Sequence, residues 1–174
     1  NPDQARALLA EAGYPRGQGW PGLEYLFNTS ENHRRIAIAL QQMWKEELNI
    51  DISLLNQEWK VYLDTSSEKN YQLARRGWIA SDLNPATFLD MFTSESGTND
   101  TGFSNARYDE IMLKRVPETP QAAERLALMQ EAEAIVLQAA AIIPLYTYNS
   151  KHLVQPSVKG APTNVLDLLN LKDV

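Results

Sequence analysis

Asn49-Ile50-Asp51-Ile52-Ser53-Leu54-Leu55 alternates from Asn49 to Leu54. Ile50, Ile52 and Leu54 fall on one side, and Asn49, Asp51 and Ser53 fall on the other. A period of two is the pattern of a strand with one buried face. The residues that follow change period, and Glu58 to about Ser66 reads as a short helix. The decisive feature is therefore a half-buried strand followed at once by a helix.

The same alternation of element types extends in both directions. Upstream, Asn1 caps and Pro2 starts a helix carrying Ala5, Leu8, Leu9 and Ala12, with Gly13 as its stop. Residues 14–22 (YPRGQGWPG) form a turn-rich loop, and Leu23, Tyr25 and Phe27 mark a strand. Thr29 or Ser30 then caps a helix ending near Leu48, with Ile36, Leu40 and Met43 on one face and Trp44 beside Met43 on the buried side. Downstream, Tyr71–Trp78 reads as a strand, Ser81–Asn84 as a turn, and Pro85 as the start of a helix over Ala86–Phe92. Residues 94–106 are a polar loop. A short helix from Arg107 to about Arg115 follows. Thr119 and Pro120 then open a long helix to about Ala140, with Leu128, Ala132, Ile135, Val136 and Ala139 as its stripe. Ile142–Tyr148 is the last strand expected, and the tail from Pro156 has only weak periodicity. Strands alternating with helices predict a mixed α/β layer.

Composition narrows the function classes. The 174 residues are 44% hydrophobic and 22% charged, which suits a buried core in one domain or a large part of one. Lys plus Arg number 16 against 22 Asp plus Glu, a net charge of -6, so nucleic acid is a poor partner for this chain. Cysteine is absent, which removes disulfides, thiolate metal sites and cysteine nucleophiles. No apolar run approaches the ~18 residues of a membrane span. The opening Asn1-Pro2-Asp3-Gln4, with no initiator methionine and a helix start at the second residue, reads as a cut from a longer protein or a natural processing point.

Catalytic patterns are missing. Gly17-Gln18-Gly19-Trp20-Pro21-Gly22 matches G-x-G-x-x-G as a string, but a helix precedes it, a strand follows it and Pro21 lacks an amide, so it reads as a turn. Asn28-Thr29-Ser30 and Asn99-Asp100-Thr101 are glycosylation strings of the kind that chance supplies. His33 and His152 are the only histidines and form no ligand pair, which disfavours zinc. No G-x-S-x-G elbow occurs, so the expectation is no catalytic residue, no metal and no cofactor. The aromatic residues are more informative. Trp78 follows Gly77, ends the expected strand and leads into Ser81-Asp82-Leu83-Asn84-Pro85; an aromatic plate beside a carboxylate suits a small cationic or amphipathic ligand.

Several stretches together carry a resemblance. Residues 54–64 (LLNQEWKVYLD), 74–80 (ARRGWIA) and 85–89 (PATFL) are similar to the extracytoplasmic oligopeptide-binding proteins of ABC importers, the family 5 solute-binding proteins. So are residues 8–14 (LLAEAGY), 25–30 (YLFNTS), 105–112 (NARYDEIM) and 143–148 (IPLYTY). The resemblance implies a two-lobed fold about three times longer. Residues 1–145 would be most of the C-terminal lobe, and residues 146–174 a strand and tail crossing toward the N-terminal lobe. It implies a periplasmic or membrane-anchored extracytoplasmic monomer that binds peptides between its lobes and delivers them to a permease.

The resemblance also implies site residues. Trp78 matches the ligand-facing tryptophan of the Gly-Trp motif, and Trp59 the tryptophan that lines a side-chain pocket. His33 and Arg75 match charged groups that meet longer peptides, and Tyr146 on the last strand joins the set. The family's acceptor for the peptide α-ammonium lies three residues after the ligand-facing tryptophan. Here that residue is Ser81, with Asp82 one position later. Serine is only a neutral acceptor, so either the turn is remodelled to aim Asp82 inward or a free N-terminus is not required. A ligand other than a simple peptide, such as a murein fragment, an opine-like compound or a chelated metal, is the alternative within the family. An α/β hydrolase or transferase using Asp82 and His33 is the alternative outside it.

Overall fold

The computed structural model describes residues 1–160. The chain divides into two compact units, Asn1–Gly77 and the part from Trp78 onward.

The first unit is built on a three-stranded parallel sheet in the order β2-β1-β3, with β1 at Leu23–Asn28, β2 at Ile52–Gln57 and β3 at Leu73–Ala74. Helix α1 (Pro2–Glu11) precedes it, capped as expected by the Asn1 side chain, which accepts from the Gln4 amide at 3.2 Å. Helix α2 (Glu31–Leu48) joins β1 to β2, and α3 (Trp59–Ser67) joins β2 to β3. The two crossovers run in opposite directions from β2, so right-handed connections put α2 and α3 on opposite faces.

The packing agrees with this. Tyr25 and Phe27 of β1, Ile52 and Leu54 of β2 and Leu73 of β3 share one face, where Ala37, Leu40, Trp44 and Leu48 of α2 cover them. Leu26, 1% exposed, belongs to the other face of β1, and α3 packs against that strand through its buried Tyr62 and Ser66. The alternation read at Ile50, Ile52 and Leu54 therefore holds in phase, with Ile50 buried just ahead of the strand. Helix α2 is rotated from expectation. Met43 is 56% exposed, because Ala37 and Trp44 set the buried stripe. The glycine-rich string is a turn with a 3-10 segment at Pro15–Gly17, closed by Trp20, whose indole N–H donates to the Asp51 carbonyl.

The strand expected over Tyr71–Trp78 is reduced to two residues, so Trp78 does not end a strand. Beyond Leu73 and Ala74, one further amide, that of Arg75, bonds the Leu26 carbonyl at 2.8 Å. The segment then leaves its only neighbour, and extended backbone without a partner is not a strand.

The second unit is helical. Helix α4 (Ala86–Leu89) continues as a 3-10 turn at Asp90–Phe92. Helix α5 (Ala106–Glu110) runs through a π segment at Ile111–Arg115 into α6 (Val116–Glu118). Helix α7 (Ala122–Gln138) closes the core with Leu128, Met129, Ala132 and Val136. It starts two residues later than the sequence suggests, because the Thr119 hydroxyl donates back to the Arg115 carbonyl and ends the preceding helix instead. Ala139 lies outside its buried stripe, and Met129 is inside it.

The loop before α5 is organised by Asn99. This residue is 8% exposed, and its amide donates to the carbonyls of Thr93 (3.1 Å) and Phe103 (2.8 Å). Ile142–Tyr148 is not a strand: it has no ladder partner among the described residues, and Ile143, Leu145, Tyr146 and Tyr148 are about half exposed. Of the expected crossing segment, residues 161–174 lie outside the described part.

Candidate functional site

In a parallel sheet the strand ends that carry loops toward one edge are where ligands bind, above all beside a strand whose two neighbours connect to opposite faces. Here that strand is β1, and its carboxyl end carries the first unit's candidates.

Asn28 ends β1 and pairs in register with Gln57 at the end of β2. Thr29 continues the ladder, its amide donating to the Gln57 carbonyl at 2.9 Å. One turn into α2, His33 Nδ1 lies 3.3 Å from the Asn28 carbonyl. From the other side of β1, Arg75 is tied to the sheet by its own amide and by its carbonyl, which accepts from the buried Tyr62 hydroxyl. Trp59 opens α3 immediately after β2, with Glu58 capping the helix by accepting from the Lys60 amide at 2.8 Å. Its ring stacks on Tyr62 with centroids 5.7 Å apart and planes 18° apart, and it remains 52% exposed. Three residues spread over 43 positions of sequence, His33, Trp59 and Arg75, thus meet one edge of one sheet.

The electrostatics are those of a site that favours anionic or acceptor groups. Burial and then the nearby Arg75 guanidinium hold the His33 imidazole below its ordinary 6.5, against the Asn28 carbonyl, which raises it. That shift favours the neutral imidazole, and an incoming anion would favour the protonated form. The Arg75 guanidinium folds back over Gly77: a Cβ there would come within 3.2 Å of it.

In the second unit, Trp78 is 38% exposed and heads an apolar surface with Ile79 (86%) and Leu83 (71%). Asp82 sits at the centre of the turn. Its Oδ1 accepts from the Asn84 amide (2.7 Å) and the Thr87 hydroxyl (3.2 Å), and the Ser81 hydroxyl donates to its Oδ2 at 3.4 Å. The carboxylate therefore organises the entry to α4, and Asn84 adds a bond from the Ala86 amide. The Asp82 charge, after burial, also raises the Asp90 carboxyl. Tyr146 makes an edge contact with Tyr148 at 5.1 Å, and its hydroxyl donates to that of Tyr148. Among the described residues no group of three His, Asp or Glu side chains could hold a metal.

Asn28, Gln57 and Tyr62 escaped the reading of the sequence. The available signal was a polar residue closing an apolar strand, at Asn28 after Tyr25-Leu26-Phe27. Both glycosylation strings carry buried asparagines, Asn28 at 9% and Asn99 at 8% exposure, so neither offers a glycan acceptor in the folded chain.

Residues 1–100 match the family model for the bacterial extracellular solute-binding proteins, family 5 (middle). The chain belongs to this family. It is 41% identical over 162 residues to the periplasmic murein peptide-binding protein MppA of Escherichia coli K12, a match covering 92% of this chain and 30% of that protein. Identity to the periplasmic oligopeptide-binding protein OppA of the same organism is 37%, over 91% of this chain and 29% of OppA. Among solved structures, the Escherichia coli murein tripeptide binding protein MppA superposes with a TM-score of 0.79 at 40% identity, over 84% of this chain and 28% of that one. Haemophilus influenzae OppA in complex with RPPGFSPFR gives 0.78 at 36% identity, over 84% of this chain and 29% of that one. This family 5 chain thus spans about 30% of the length of the curated relatives it matches. Its fold is that of the family's periplasmic-binding-protein-like structures, with an open parallel sheet.

Proposed function

We propose that this chain is the C-terminal lobe and crossing segment of an extracytoplasmic oligopeptide receptor. The receptor captures peptides between two lobes and hands them to an ABC permease, as a periplasmic or membrane-anchored monomer. The observation that carries this is the convergence of His33, Arg75 and the exposed Trp59 on the carboxyl edge of the sheet. A cationic group, a titratable donor and an aromatic plate are what a peptide with an acidic end and bulky side chains requires. In this reading residues 1–145 serve as the lobe, and residues 146–174 cross toward the other lobe. Trp78, Ser81, Asp82 and Tyr146 supply the further contacts. Binding of this kind needs no covalent chemistry and none of the catalytic patterns that the sequence lacks.

A second reading concerns the ligand. Ser81 stands where the resemblance places an ammonium acceptor, and Asp82 is held by the α4 entry. This favours a ligand whose recognition does not rest on a free α-ammonium, and a murein peptide, the ligand in MppA's name, is the first to try.

Calorimetry on the two-lobed receptor tests both. Free peptides, their N-acetylated forms and a murein tripeptide are titrated separately. Binding of any of these supports the receptor reading, and equal affinity for free and acetylated peptides supports relaxed N-terminal recognition. Strong preference for the free peptide, abolished in Asp82→Asn, would instead assign the ammonium to Asp82. No binding by any of them rejects a peptide receptor.

A further inference from the structure

Two buried acceptors at the carboxyl edge have no donor among the described residues. Asn28 is 9% exposed, and no described residue donates to its Oδ1; the same is true of Gln57 Oε1. The two residues are register partners on adjacent parallel strands, so their side chains leave the same face of the sheet, side by side. They close the row that contains Leu26 and Leu55, on the face where α3 lies. A buried polar atom without a partner costs most of its desolvation, and native proteins leave few of them. Two such atoms in register at the strand beside which the connections diverge mark a place built to receive something.

The chemistry of the pair selects the occupant. Two carbonyl oxygens present four lone pairs and no proton. A single atom that satisfies both must bring two polar hydrogens, as a primary amide or amine nitrogen or a water molecule does. A carboxylate or a second carbonyl would add an acceptor to acceptors and is excluded. We propose that Asn28 Oδ1 and Gln57 Oε1 form a subsite for one two-proton donor. A carboxamide or amine nitrogen of a bound ligand occupies it, and a single water bridges the two oxygens when no ligand is present. A water with two such partners meets the requirement for a retained buried solvent. The ligand half of this proposal rests on the receptor reading, whereas the water half does not.

The test uses the 174-residue chain itself. Its crystal structure at near-atomic resolution should show one solvent peak about 2.7–3.2 Å from both oxygens. A soak in acetamide should replace that peak with the amide nitrogen, and methylammonium serves as the amine probe. Displacement by either assigns the subsite to ligand donors, whereas water retained against both restricts it to structural solvent and overturns the ligand half. An Asn28 Nδ2 donating directly to Gln57 Oε1, with no bound solvent, would overturn the whole. Stability gives an independent reading. If the pair holds a water, Asn28→Leu and Gln57→Leu should each lower the melting temperature by roughly 2–4 °C. The double variant should then lose little more than either, because one bridge is lost in each case. A rise in melting temperature for Asn28→Leu would mean that the oxygen was a bare burden, and would reject the subsite. Failure to bind peptides leaves this result untouched, and an empty acceptor pair leaves the receptor reading standing.

Discussion

His33 shows how far one residue's environment reaches. Burial and Arg75 lower its pKa, so on acidification the unfolded chain takes up the proton first. The stabilisation from a neutral His33 is complete above the ordinary 6.5 and is lost as pH falls from there through the folded-state midpoint. Melting temperature measured from pH 7.5 to 5 should therefore decline for the natural chain, and His33→Asn should flatten that decline. An imidazole midpoint above 6.5 by NMR would contradict the assigned surroundings. Asp82 has a structural role in the α4 entry. Asp82→Ala removes the acceptor for Asn84 and Thr87 at the α4 entry and should cost about 0.5–2 kcal/mol, as lost caps do, in urea denaturation. Asp82→Asn keeps an acceptor oxygen and should cost less. For Trp78, Ala in the two-lobed receptor should weaken peptide binding by about 1–3 kcal/mol if it is a ligand anchor, and calorimetry reads this directly. An unchanged affinity would return the ring to ordinary surface.

At the scale of elements, the second unit depends on how its short helices begin. Asn105 caps α5, accepting from the amides of Arg107 and Tyr108, both at 3.0 Å. Its helix brings Tyr108 into the core, where the hydroxyl donates to the Leu89 carbonyl at 2.7 Å, and burial raises its pKa well above the usual tyrosine range. Asn105→Ala should cost about 1 kcal/mol, and Tyr108→Phe a similar amount by leaving the Leu89 carbonyl unpaired. Chemical denaturation measures both. The elements also show which patterns in the sequence are self-sufficient. The alternation of β2, the Asn1–Pro2 helix start and the break after α2, where Asn49 takes the left-handed conformation (φ 56°), are local and came through as read. Ile142–Tyr148 has the same kind of pattern as β2 and forms no strand, because a strand exists only when another strand takes its hydrogen bonds. The turn of α2 toward Trp44 rather than Met43 likewise came from what it packs on.

The whole molecule is expected to fold as this chain. Each unit has a core of its own, one around Tyr25, Phe27 and Ile52 and one around Tyr108, Ile111 and Val136, so circular dichroism should show helical structure that melts cooperatively. A coil spectrum would mean that further chain is needed to hold it. If the chain is one lobe of a two-lobed receptor, as proposed, it should bind peptides far more weakly by itself than the receptor does, since one lobe supplies part of the contacts and leaves the ligand in water. Micromolar affinity for the chain alone would overturn that.

The sequence by itself determined the α/β class, a strand followed at once by a helix after residue 49 (the strand starting at Ile52 rather than Asn49) and the family, because periodicity, caps and motif order are properties of neighbouring residues. It also named His33, Trp59 and Arg75 as site residues through their motifs. It could not say that the three share the carboxyl edge of one sheet, nor that Asn28 and Gln57 lie side by side there with bare oxygens. Those facts arise from strand order and register, which bring together positions far apart in the sequence, such as Leu26 and Ala74. Nor did it distinguish Asp82 as a ligand acceptor from Asp82 as the organiser of a turn, because both need the same carboxylate and only the direction of its oxygens separates them.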